Sequence, residues 1–244
     1  MHTKNTAMSF FSTVHNYYDF TRCILSYLWD ARHLTFEEAH VRRAACTQSM
    51  LEAWHVTYDI ENREGLTARR PCIYVANHSA IIDPIVLCSV FPYDVRFLAK
   101  REVFRVPVLR DALILERHIP VIRGAHAREH IDELKAAVST ALSEGACCLF
   151  FPEGTRTHDG SLGDFKLGAF FNAVQNHVPI VPIALEGLFR LNPRSQKGVT
   201  PGHAVIHVLA PIEPPEGDNE RECAQKLADL AHDAIASKLA SCGQ

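Results

Sequence analysis

Two side chains that could do acid–base chemistry, His78 and Asp83, follow the apolar run at residues 72–76 within the block Asn77-His78-Ser79-Ala80-Ile81-Ile82-Asp83-Pro84. On a continuous helix, residues five apart diverge by about 140°, a poor geometry for pairing. Pro84 disfavours helical geometry at Asp83, so a turn can bring the two together. A carboxylate that fixes the imidazole tautomer and stabilises the imidazolium is the base half of a Ser-His-Asp arrangement. The serine half is missing. The chain has no GxSxG elbow, and Ser79 is adjacent to His78, where neighbouring side chains do not meet productively. The nucleophile then belongs to the substrate, as a hydroxyl that His78 deprotonates. That implies transfer to an alcohol. Water in the same place would make a hydrolase such as a thioesterase, and a site without turnover would leave a lipid- or carrier-binding module.

The stretch FPEGTRT, residues 151–157, raises a second possibility. Pro152 ends an apolar run, Gly154 frees the backbone, and Arg156 can grip a phosphate with two parallel hydrogen bonds. Glu153 sits at the head of this turn, where its charge opposes an anion. We expect it to brace the loop by accepting backbone N–H groups or pairing with an arginine. The plainer reading is a strand-to-loop turn with a surface arginine. Between Arg96 and Arg128, eight basic residues face only Glu102, Asp111 and Glu116, a local excess that suits an anionic ligand or headgroup on a chain of net charge −3.

These residues need a scaffold. Apolar runs at 72–76, 95–99, 119–122, 146–151, 180–185 and 204–209 predict strands. Pro182 predicts that its strand is irregular or at an edge. Helical patterns lie at 126–144, with Gly145 as the stop, and at 219–240. Strands alternating with helices predict an α/β domain over residues 57–244, with a mixed, largely parallel sheet flanked by helices. Ligand sites in such sheets gather beyond strand C-termini, where both candidate motifs fall.

Residues 1–56 read as a separate helical segment, broken near His33-Leu34-Thr35, where Thr35 and Glu38 form a capping-box signature. Phe10, Phe11, Tyr17, Tyr18, Phe20, Tyr27 and Trp29 crowd its first half, with Asp19 and Arg22 interrupting them. The charges exclude a spanning helix or a signal-peptide core, leaving two readings: a helix in the headgroup layer or one packed on its own domain. A 47% hydrophobic and 22% charged composition supplies an ordinary core, and the balance of charge gives no global pull on nucleic acid. None of the eight cysteines forms a CxxC pair, so we expect reduced thiols and no metal site.

Taken in order, the blocks resemble glycerolipid acyltransferases of the 1-acylglycerol-3-phosphate acyltransferase (PlsC) type. Asn77-His78 through Asp83 match NHxxxxD, and Lys100, Pro107 and Arg123 approximate a basic second block. Pro152 to Arg156 match PEGTR, Phe165 to Ala169 match FKxGA, and residues 178–182 match VPIVP. The resemblance covers residues 71–187. It implies acyl transfer from acyl-CoA or acyl carrier protein to the hydroxyl of a lysophosphatidic acid-like acceptor, giving phosphatidic acid, at a membrane surface on the cytoplasmic face. His78 would be the base and Asp83 its orienter. Arg156, Gly154 and Thr155 would hold the acceptor phosphate, with Glu153, Arg123 and Lys100 in the same binding set. No cofactor or metal is implied. Arg110 stands where the second block usually has glycine, which leaves another lysolipid, such as a lyso-ornithine lipid, open as acceptor.

Overall fold

The computed structural model describes residues 2–124 and 129–243, with side chains from residue 13 onward. Runs that are apolar at every position become interior strands, because both faces of the sheet are covered. β2 (Ile73–Ala76) and β5 (Cys147–Phe150) are buried along their whole length. They lie together in a seven-stranded sheet with β1 (Val56–Glu61), β3 (Val95–Lys100), β4 (Ile119–Val121), β6 (Ile180–Glu186) and β7 (Gly202–Val208). The order is β1-β7-β6-β2-β5-β3-β4, parallel throughout except between β6 and β7. The sheet is therefore mixed and largely parallel, as expected.

Strand alternation divides the core. Tyr74, Leu149, Ile183 and Leu185 face one cluster with α2 (Phe36–Ala53) and α3 (Asp83–Val90). Ile73, Cys148 and Ala184 face another, filled from α5 (Ile131–Ser143), α6 (Gly168–Asn176) and, after the single-turn α7 (Leu188–Leu191), α8 (Glu220–Ser241). Of the expected helix at 126–144, residues 126–128, including Arg128, lie outside the described set; the helix stops before Gly145 at φ +81°.

Two expectations needed the third dimension. β1 was not among the expected strands: its Val-Thr-Tyr-Asp-Ile-Glu sequence alternates, which suits an edge strand with one covered face. Pro182 lies in an interior strand that stays regular through it, so the expected irregular or edge strand is corrected. Its carbonyl accepts from Leu209 N at 2.9 Å, so its nitrogen faces the same way, just beyond the last regular β6–β7 pair, Ile183 with Val208. No ladder bond is lost there.

The N-terminal helices are built into the domain. α1 (His2–Asp30) leads through a short 3₁₀ turn to α2, whose start is held by the reciprocal capping box of Thr35 and Glu38. Both helices converge on Glu116, just after α4 (Leu109–Leu115). Its carboxylate accepts from the Tyr27 hydroxyl, from Arg43 Nη1 and, at 2.8 Å, from His40 Nδ1. Arg43 also donates to the Phe91 carbonyl. Burial pushes the Glu116 carboxyl up, but the His40 hydrogen bond, the Arg43 charge and the Tyr27 hydroxyl outweigh it and hold it at about 2. The inner face of α1 thus follows the packed-helix reading, while Tyr17, Tyr18, Leu25 and Trp29 remain exposed; the side chains of Phe10 and Phe11 lie outside the described residues.

Removing one partner from a buried charged network leaves the others uncompensated, so Glu116→Ala should lower unfolding stability by about 3–5 kcal/mol. Because the folded carboxyl titrates near 2 against an ordinary 4.5, its contribution is full above about pH 4.5 and fades as pH falls toward 2. Urea unfolding of wild type and variant across that window should show the gap narrowing in acid; a constant gap would remove Glu116's ionisation from the account.

Candidate active site

The loop after β2 carries the acid–base pair. Its entry is fixed by Asn77, whose amide donates to Leu185 O at 3.0 Å and accepts from Leu185 N at 2.7 Å. This double bond clamps the loop to β6. α3 begins at Asp83 with Pro84 in its first turn, where a proline costs no hydrogen bond. The intervening turn folds back so that His78 Nδ1 lies 2.8 Å from Asp83 Oδ2.

Asp83 is fully buried and well supplied with donors. Besides His78, Oδ2 accepts from Ser79 N at 2.6 Å and Ala80 N at 2.9 Å. Its place at the start of α3 adds the favourable end of the helix dipole. With Asp83 as carboxylate, Nδ1 carries the proton and Nε2 presents its lone pair. Nε2 has no hydrogen-bond partner among the described residues, and the ring is 17% exposed. Phe151 stacks on that ring, with centroids 4.2 Å apart. The arrangement can accept a proton at one defined atom.

The FPEGTRT turn is fastened to the same histidine. Glu153 Oε1 accepts His78 N at 2.6 Å, and Oε2 accepts Gly163 N at 3.0 Å. Thr157 N donates to His78 O at 3.0 Å. Burial pushes the Glu153 carboxyl up, opposed by the two backbone N–H groups. Its oxygens are committed to the backbone, so although it stands in the expected binding set, it serves as the brace between two loops.

Gly154, at φ +71°, turns the chain, and its carbonyl accepts from Arg123 Nη1. The basic block and the turn are thereby joined. Thr155 is exposed, and Arg156 is half-buried with its guanidinium unengaged by any acid or carbonyl among the described residues. Lys100, at the end of β3, is exposed and lies 3.6 Å from Glu102, with no hydrogen bond to the turn among the described residues. Arg101, Arg105 and Arg123 instead line a cavity of about 360 Å³. Of the eight expected residues, the structure joins His78, Asp83, Glu153, Gly154 and Arg123 by direct hydrogen bonds.

Two residues had no assigned role. A Cβ on Gly154 would come within 2.6 Å of Lys166 Nζ, so this amine lies against the turn. Its place in the FKxGA block was the available signal. Phe151 heads the turn, but its stacking on His78 depends on β2 and β5 being neighbours.

Comparison with known proteins bears on this geometry. The family model described as Acyltransferase matches residues 57–186, more than half of the chain. A chloroplastic 1-acyl-sn-glycerol-3-phosphate acyltransferase of Brassica napus is 35% identical over 182 residues, covering 74% of this chain and 50% of that protein. The alpha enzyme of that name from Homo sapiens is 33% identical over 148 residues, 61% of this chain and 52% of its own. This chain spans about half the length of the curated relatives it matches. Among solved structures, the 1-acyl-sn-glycerophosphate acyltransferase PlsC of Thermotoga maritima shares the fold, with TM-score 0.75 over 96% of this chain and 97% of that one at 22% identity.

The brace makes a specific demand of residue 153. Glu153→Ala leaves two enclosed N–H groups unpaired and should cost about 2–4 kcal/mol. Glu153→Gln keeps one acceptor but points an amide at the second N–H, so it should fall between wild type and Ala. Denaturant midpoints test the order; a Gln variant as unstable as Ala would mean that both oxygens are needed as acceptors.

Proposed function

The chain belongs to the acyltransferase family, and on that premise we propose that it transfers a fatty acyl group from a thioester to the free hydroxyl of a lysophosphatidic acid-like acceptor, yielding phosphatidic acid. The observation that carries this reading is the buried Asp83–His78 pair with an open Nε2 and, among the described residues, no nucleophile hydrogen-bonded to it. The acceptor hydroxyl gives its proton to Nε2 while its oxygen attacks the thioester carbonyl. The tetrahedral intermediate then expels the thiolate, which takes the proton from the imidazolium. An ester forms, a thioester breaks, and the enzyme returns to its starting state. The chemistry as written needs no metal, cofactor or covalent acyl-enzyme.

The half-buried guanidinium of Arg156 would hold the acceptor phosphate, with Lys166 beside the turn. Arg123 would position the turn through Gly154. The donor thioester is carried by coenzyme A or an acyl carrier protein. No helix among the described residues is long and apolar enough to cross a membrane. The exposed Tyr17, Tyr18, Leu25 and Trp29 suit the headgroup layer instead, and the reading puts the protein on the cytoplasmic face.

His78→Ala should lower transfer by about 10²–10⁴-fold while far-UV dichroism and melting stay close to wild type. Near-normal turnover in that variant would remove the base. Arg156→Ala should raise the acceptor KM more than the donor KM. A panel of lysolipids against acyl-CoA and acyl carrier donors, read by product mass, identifies the acceptor; thioester loss at a comparable rate without any acceptor would point to hydrolysis. Replacing Tyr17, Tyr18 and Trp29 together by serine should release the protein from anionic vesicles without disturbing Tyr27 in the core. Undiminished flotation of that variant would place the membrane contact elsewhere.

A further inference from the structure

On the face of the sheet covered by α8, a second histidine is held between carboxylates. His207 on β7 is 2% exposed. Its Nδ1 lies 2.7 Å from Glu61 Oε2 at the end of β1, and its Nε2 lies 2.9 Å from Glu186 Oε2 at the end of β6. Cys242, capping the last turn of α8, brings its sulfur to 3.8 Å from His207 Nε2. One ligand atom from each of Glu186, His207 and Cys242 lies within 4.8 Å of the others.

We propose that Glu186, His207 and Cys242 form a binding site for a zinc-type divalent metal ion. Three ligands at zinc bond lengths of about 2.0–2.3 Å stand about 3.3–3.8 Å apart, so the observed triangle needs only small adjustments. Thiolate, imidazole and carboxylate together select zinc or cobalt over magnesium or calcium. Glu61 accepts the Nδ1 proton, which turns the Nε2 lone pair toward the ion, the usual outer partner of a metal-bound histidine. Lys238 Nζ, 2.9 Å from Glu61 Oε2, balances that carboxylate. Glu186 and the Cys242 thiolate then neutralise the dication. Binding releases to solvent the thiol proton and any proton shared between Nε2 and Glu186. Without Cys242 the group would be an ion-paired histidine alone; the sulfur is what makes it a ligand set. The ion would tie the end of α8 to β6 and β7. It has no part in the acyl-transfer steps, and the site stands independently of them.

The test uses the full chain, freed of metal under reducing conditions and titrated with cobalt(II) alone or zinc(II) alone. Cobalt should bind one to one and give a thiolate charge-transfer band in the near ultraviolet. Zinc should raise the melting midpoint by about 5 °C. Cys242→Ser, at a half-buried position after the helix, should keep the native dichroism and lose both responses. A missing cobalt band or missing zinc shift in the wild type overturns the proposal and leaves His207 as an ion-pair bridge. Responses retained in Cys242→Ser overturn it equally, since another residue would then hold the metal.

Discussion

The architecture of the site rests on one enclosed carboxylate. The loops after β2 and β5 leave neighbouring parallel strands, and nothing in strand pairing fixes their distance beyond the sheet edge. Glu153 fixes it by accepting His78 N with one oxygen and Gly163 N with the other. Thr157 N on His78 O closes the join from the other side. The acid at the head of a turn proposed to bind an anion is therefore no contradiction. Its charge is taken up by the backbone that carries His78, leaving the arginines as the outward charge of the turn.

A similar economy governs the outer helices. Glu116 gathers a tyrosine from α1 and a histidine and arginine from α2, and Arg43 reaches on to the Phe91 carbonyl. Trp54 adds a hydrogen bond to Asp19 at 3.2 Å. A segment whose outer face carries exposed aromatics is thus anchored by polar contacts on its inner face. Hydrophobic packing alone would leave its orientation loosely specified, whereas directional hydrogen bonds set which aromatics face outward.

What the sequence made legible were features that depend on local order. The interior strands announce themselves as apolar runs, the capping box as Thr35 and Glu38, and the acid–base pair as His78 and Asp83 with Pro84 beyond. The hidden features arise from distant juxtaposition. Glu116 meets partners 73, 76 and 89 residues away, and no periodicity encodes that. β1 escaped because an edge strand with Asp59 and Thr57 on one side looks like a loop without its neighbour β7. Lys100 was grouped with the turn on motif grounds; that β3 lies between β5, which leads to the turn, and β4, which leads to Arg123, is visible only in the sheet order. Pro182 reads as an edge marker until the point where β7 departs is known.

The ring of Phe151 lies against one face of His78, with the planes inclined by 23°. That contact leaves no room for a substrate over the covered face of the imidazole. Any group that exchanges a proton at Nε2 must come in along the ring edge, so the direction of approach is set before a ligand arrives. A lipid acceptor of the kind proposed would thus meet a one-sided doorway, its hydroxyl reaching Nε2 from the side that Phe151 leaves open.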